Sequence, residues 1–83
     1  MKILYFAWLR TRVGHGEEQV EPPPDVDTVG GLVDWLKQRG PGYAAALDDL
    51  SAVRVAVNQE FADWDHPVAP GDEVALFPPI TGG

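Results

Sequence analysis

Residues 2–9 read Lys2-Ile3-Leu4-Tyr5-Phe6-Ala7-Trp8-Leu9. The run is rich in β-forming side chains and is apolar on both parities, with Ile3, Tyr5, Ala7 and Leu9 on one side and Leu4, Phe6 and Trp8 on the other. A strand that meets water on one face alternates apolar with polar residues, so apolarity on both predicts an interior strand. The run therefore belongs in the middle of a sheet, and the rest of the chain supplies its neighbours.

Immediately downstream, Gly14-His15-Gly16 provides a turn. Glu17–Pro22 then reads as a short polar strand, ended by Pro22-Pro23-Pro24, which cannot donate to a ladder. The two strands are expected to form a hairpin, the second lying nearer an edge. Thr28 stands where a helix cap belongs, and Val29, Leu32, Val33 and Leu36 follow at i, i+3, i+4 and i+7, making one apolar stripe. Gly40-Pro41 is expected to stop this helix. Gly30 and Gly31 in its first turn cost about 1 kcal/mol each relative to alanine, and the sequence offers no reason for them.

Residues 42–50 form a second, shorter helical candidate. Residues 52–58 alternate as a strand with Val53, Val55 and Val57 inward and Arg54, Ala56 and Asn58 outward. Pro70-Gly71 fits the centre of a type II turn. The last strand, Glu73–Phe77, puts Val74 and Leu76 on one side and Ala75 and Phe77 on the other. The order β-β-α-(α)-β-β-β, with no repeats, predicts an α+β roll: a mixed sheet of about five strands, one main helix packed on one face and a short second helix.

A chain of 83 residues closes one core, so residues 1–83 are expected to be a single domain. So small a domain favours a surface site or one borrowed from a partner over a free-standing enzyme. Six Lys and Arg face 13 Asp and Glu. From Gly40 onward Arg54 is the only cation, against Asp48, Asp49, Glu60, Asp63, Asp65, Asp72 and Glu73. This balance disfavours nucleic acid and anionic membranes as partners and leaves a basic protein surface or plain solvation. There is no cysteine, hence no disulfide, thiolate metal site or thiol nucleophile. The apolar start is short, Arg10 and Arg12 follow it, and no small-residue cleavage site appears, so it is read as part of the fold and the protein as cytoplasmic.

No catalytic constellation emerges. Ser51 is the sole serine and lacks an activating motif, while His15 and His66 lie in turn segments. Asp63-Trp64-Asp65-His66 lacks the spacing of a calcium loop or a zinc site, so no metal ligands are assigned. Gly14-His15-Gly16 lacks the further glycine and Lys-Ser/Thr of a phosphate loop.

The end of the sequence, Phe77-Pro78-Pro79-Ile80-Thr81-Gly82-Gly83, is different. Pro78 and Pro79 have no amide hydrogen, so the ladder must stop at Phe77 and the chain leave the sheet on a stiff, extended path. The six residues Pro78–Gly83 can then project about 20 Å, far enough to enter a pocket on another protein. Gly82 and Gly83 make its tip as thin as a polypeptide can be. The α-carboxylate is unreactive until it takes the α-phosphate of ATP, after which the acyl-adenylate can pass to a nucleophile. A sulfur donor would yield a thiocarboxylate and an amine an amide conjugate; an idle, frayed terminus is the plain alternative.

The segments Ile3–Arg10, Val55–Phe61 and Asp65–Gly83, above all Phe77-Pro78-Pro79 followed by Thr81-Gly82-Gly83, resemble the small subunits of molybdopterin synthase. These are sulfur-carrier proteins with the ubiquitin-like β-grasp fold. The resemblance spans the whole chain, is strongest from Val55 onward and is weak between Gly14 and Asp49. Trp8 and Glu21–Asp25 depart from the family pattern. The resemblance implies that Gly83 is adenylated by a ubiquitin-activating-like adenylyltransferase using ATP and Mg²⁺. A sulfur donor enzyme then converts it to a thiocarboxylate, and its sulfur passes to cyclic pyranopterin monophosphate in the large catalytic subunit. It further implies a heterotetrameric synthase, Thr81 and Gly82 as the slim tail, and Arg10, Phe61, Phe77, Pro78 and Ile80 as partner contacts. The chain itself would bind no cofactor and be no enzyme alone. A thiamine-pathway carrier and a ubiquitin-like protein modifier are the competing expectations.

Overall fold

A computed structural model of the protein describes residues 1–79. In chain order the elements are β1 (Lys2–Tyr5), α1 (Trp8–Val13), β2 (Glu17–Gln19), α2 (Val29–Lys37), α3 (Pro41–Ala46), a 3₁₀ turn (Leu50–Ala52), β3 (Arg54–Val57), β4 (Glu60–Ala62) and β5 (Glu73–Phe77). The strands form a five-stranded sheet in the order β2-β1-β5-β3-β4. The β1–β5 pair is parallel and the other three pairs are antiparallel. The α+β architecture with a mixed five-stranded sheet is as the sequence predicts.

The opening run is shorter as a strand than its composition suggests. β1 ends at Tyr5, and the chain swings through Ala7, at φ +55°, into α1. Leu9 is fully buried and Val13, one helical turn on, packs against the same core, so Trp8 and Leu9 belong to a helix rather than to the strand. Gly14, at φ +105°, closes α1 by donating its amide to the Arg10 carbonyl. β1 and β2 therefore pair antiparallel across a helix, not across a tight turn. β1 is interior, between β2 and β5, but the middle strand is β5. β2 is an edge, as expected.

The main helix carries its apolar stripe as read: Val29, Leu32, Val33 and Leu36 are all buried, and the Thr28 hydroxyl accepts the Gly31 amide at 3.1 Å. It ends earlier than Gly40-Pro41, however, at Lys37. Gly40 instead caps α3 and Pro41 opens it, where a fixed φ and a missing amide hydrogen do no harm. The 63–67 loop explains Gly30. The Val29 amide donates to the His66 carbonyl at 2.9 Å and the Gly30 amide to the Trp64 carbonyl at 2.7 Å. A Cβ on Gly30 would lie 3.1 Å from that Trp64 oxygen, so glycine lets the loop close over the first turn.

Ile3, Tyr5, Val55, Val57, Val74 and Leu76 point from the sheet into one core with the α2 stripe, Leu9, Ala46 and Leu47. Two turns tie the strands. Asn58 and Gln59, at φ +51° and +71°, join β3 to β4 with the signs of a type I′ hairpin turn. Gly71, at φ +93°, follows Pro70 while the Asp72 amide donates to the Ala69 carbonyl at 3.1 Å, as the predicted type II turn requires.

One polar knot crosses these layers. The Glu18 carboxylate accepts hydrogen bonds from the Tyr5 hydroxyl at 2.7 Å, the Tyr43 hydroxyl at 2.9 Å and the Arg39 guanidinium at 2.7 Å. His15 Nε2 lies 3.1 Å from the same carboxylate. Burial alone would raise the Glu18 carboxyl, but these four donors outweigh it and hold the carboxyl at about 2. Burial, followed by the bond to Glu18, pushes the Tyr5 phenol well above its ordinary range.

Candidate docking face at the root of the tail

The helices lie on one side of the sheet. On the other, the register aligns Leu4, Ala75, Ala56 and Phe61 in a row across β1, β5, β3 and β4. Next to this row, Phe77 of β5 stands opposite Arg54 of β3. None of these side chains except Ala56 is fully buried, and Ala56, at 9 % exposure, is flanked by Ala75 and Phe61. No helix covers this face among the described residues.

Its most exposed member is Phe61, with 79 % of its surface open to solvent, although its ring centroid lies only 5.8 Å from that of Phe77. The two rings, with Arg54 and Asp63, border a shallow cavity of about 420 Å³. On the other flank Phe6 is 48 % exposed, and its amide donates to the Leu76 carbonyl at 3.1 Å, which holds it beside the end of β5. Leu4, Phe6 and Arg10 line a second depression of similar size, about 410 Å³. Arg10 reaches it by lying over Gly16, where a Cβ would stand 3.2 Å from the arginine Nε.

Of the partner residues expected from the sequence, Phe61 and Phe77 form an aromatic pair and Pro78 continues directly from Phe77, whereas Arg10 lies apart from them, exposed on α1 at the other flank beside Leu4 and Phe6. Ile80, Thr81, Gly82 and Gly83 lie outside the described residues. Two members of the face were not singled out from sequence. In the sequence Phe6 reads as part of a two-sided strand, although its parity opposite Ile3 and Tyr5 is a usable signal, and Arg54 reads as outward without a role. A bare face of two aromatic rings can do no covalent chemistry. It can bind, because burying one phenylalanine contributes about 1.5–3 kcal/mol, and rigid aromatic anchors dominate protein interfaces.

The sequence pattern of the ThiS family matches residues 3–83. The chain belongs to the ThiS family. Among curated ThiS-family relatives, the molybdopterin synthase sulfur carrier subunit of Escherichia coli (strain K12) is 41 % identical over 83 residues, covering 100 % of this chain and 99 % of the relative. Among solved structures, SAMP1 of Haloferax volcanii superposes with a TM-score of 0.74 at 32 % identity, covering 100 % of this chain and 98 % of that one. A complex of subunits 1 and 2 of the molybdopterin-converting factor from Helicobacter pylori contains a chain with the same fold, with a TM-score of 0.65 at 20 % identity over 99 % of this chain and 96 % of that one. The ubiquitin-like architecture that the family resemblance implies is therefore the fold of this ThiS-family chain. No helix among its described residues is long and apolar enough to cross a membrane.

Proposed function

We propose that this chain is the sulfur carrier of molybdenum cofactor biosynthesis and works as the small subunit of a molybdopterin synthase. A ubiquitin-activating-like enzyme transfers AMP from ATP, held with Mg²⁺, to the Gly83 carboxylate and releases pyrophosphate. A sulfur donor displaces AMP and leaves a terminal thiocarboxylate. The charged tail then enters the large subunit, where its sulfur passes to cyclic pyranopterin monophosphate and the carboxylate returns for another round. The chain binds and presents; nucleotide, metal and pterin are held by its partners in the cytoplasm. The assembled synthase is a heterotetramer.

The observation that carries this reading is the continuity of Phe77 with Pro78. Phe61, exposed, and Phe77, half-buried, pair at the root of a proline-stiffened arm, so a protein that covers the face also receives the tail. Phe61, Phe77, Pro78, Ile80 and Arg10 are assigned to that contact, and Thr81 and Gly82 to the slim approach of Gly83. The 41 % identity to a sulfur carrier subunit over the whole chain supports the same reading.

Mass spectrometry of the C-terminal peptide from protein purified out of its own cells tests it: replacement of one terminal oxygen by sulfur is expected. Adding a single residue after Gly83 should abolish cofactor synthesis, and unaltered synthesis would remove the mechanism. A second reading, a ubiquitin-like modifier that forms amide bonds with lysines, is favoured by the likeness to SAMP1, a small archaeal modifier protein. It requires high-mass conjugates in cells that disappear when Gly83 is deleted.

A further inference from the structure

Arg54 is out of place on an apolar docking face. It projects from β3 on the side of Phe61 and Phe77, directly opposite Phe77, the last residue before the tail. Among the described residues its guanidinium makes only one hydrogen bond, a long one of 3.4 Å to the neighbouring Val53 carbonyl. It takes part in none of the ion pairs found there, which join Lys2 to Glu17 and both His15 and Arg39 to Glu18. Asp63 borders the same cavity without pairing with it. In solution an exposed guanidinium costs nothing. Under a protein partner it must lose water, and an unpaired buried charge is among the most costly groups an interface can contain.

We infer that Arg54 is the electrostatic anchor of this face, taking a carboxylate that the tail-receiving subunit presents within an otherwise apolar surface. The inference rests on the sulfur-carrier reading above and adds to it the chemistry of the partner's contact patch.

Three considerations select a protein carboxylate. The chain is acidic overall, at −7, so phosphate backbones are repelled before they reach Arg54. When it is drawn out to meet a partner's pocket, an arm of six residues reaches up to about 20 Å. A nucleotide phosphate held at an outstretched tip is then out of range of Arg54. Finally, a guanidinium offers a planar fork that matches the two oxygens of Asp or Glu, whereas a lone carbonyl would leave most of its donors unmet. Because the side chains beside Arg54 on this face, Ala56, Phe61 and Phe77, are aliphatic or aromatic, such a pair would also fix orientation, aligning the root of the tail with the entrance to the partner's pocket. Partners lacking the carboxylate would be rejected by the desolvated charge.

The test is calorimetric titration of the full-length chain and its Arg54 variants against the large synthase subunit of the same organism. Arg54 is exposed, so thermal melts of the variants should match the wild type. Arg54→Leu, which fits an apolar face, is expected to bind about thirtyfold more weakly because it strands the partner's carboxylate. Arg54→Glu should bind more weakly still, and Arg54→Lys should recover much of the loss. Leu binding as tightly as Arg, or more tightly, would overturn the anchor and leave the carrier reading standing. That result would also follow if the Gly83 carboxylate of this same chain were the ion that Arg54 takes. Failure of the folded wild-type chain to bind the large subunit at all would instead sink the carrier reading, and the anchor with it.

Discussion

Phe61 gains little from its place in the fold, since 79 % of its surface faces solvent and its strand is only three residues long. Such a side chain is normally replaced without consequence, within about 0.5 kcal/mol of stability. Its value lies in the complex, where the ring would be covered together with Phe77. Phe61→Ala should therefore leave the melting temperature nearly unchanged while weakening association with the large subunit by at least about tenfold, the loss expected of a central aromatic anchor. Gly42 is the opposite case, a residue with no chemistry that the fold cannot enlarge. A Cβ there would stand 2.5 Å from the Arg12 carbonyl, where α3 crosses the end of α1, and the obstacle is backbone on both sides. Gly42→Ala should destabilise by about 1–3 kcal/mol through forced separation of the two helices. Denaturant titration would register it as an earlier midpoint with an unchanged slope.

Among the elements, the β3–β4 hairpin holds a correctable flaw. Both central residues of its turn have positive φ, which suits asparagine but strains glutamine. Asn58 is committed, donating to Asp72 at 3.1 Å and accepting the Glu73 amide at 3.0 Å, whereas the side chain of Gln59 makes no hydrogen bond among the described residues. Gln59→Gly should raise stability by about 0.5–1 kcal/mol, visible as a melting temperature several degrees higher for a domain this small. The same elements show what the sequence could reveal. α2, β3 and β5 were legible because each buries one regular face against one core, so Val29, Leu32, Val33 and Leu36, and Val74 and Leu76, repeat with the period of their element. α1 was hidden for two reasons. Its six residues are too few to display a helical period, and its entry depends on an alanine at φ +55°, a conformation that no residue preference announces. β1 misled in a more instructive way. Its second apolar face, Leu4 and then Phe6, reads as burial within the domain, but that side of the sheet carries the candidate docking face. Periodicity reports which residues avoid water without saying whether the fold or a partner covers them. Ile80–Gly83 are legible in the sequence only as a motif, since the role proposed for them depends on a reagent supplied by another protein.

At the scale of the whole molecule, the Glu18 knot is a side-chain network that reaches across the layers. Its donors come from the end of β1, the turn before β2, the segment after α2 and the body of α3. Apolar packing alone would let these layers slide, whereas a carboxylate with several directed donors admits one arrangement. Because Tyr5 is also the register partner of Leu76, the knot fixes the strand end from which Phe77 and the tail depart. Its dependence on pH has a definite sign. The Glu18 carboxyl falls from an ordinary 4.5 to about 2 in the folded chain, so the unfolded state binds its proton first as the solution is acidified. The resulting stabilisation is fully present above about pH 4.5 and is lost as the pH falls towards 2. Glu18→Gln cannot titrate and retains only part of the hydrogen bonding. It should be less stable than the wild type at neutral pH by about 1–3 kcal/mol, with a flatter stability profile between pH 4.5 and 2, so that the two curves converge in acid. Urea midpoints measured across that range would decide the matter: parallel curves would mean that the carboxylate's charge contributes nothing to holding the layers together.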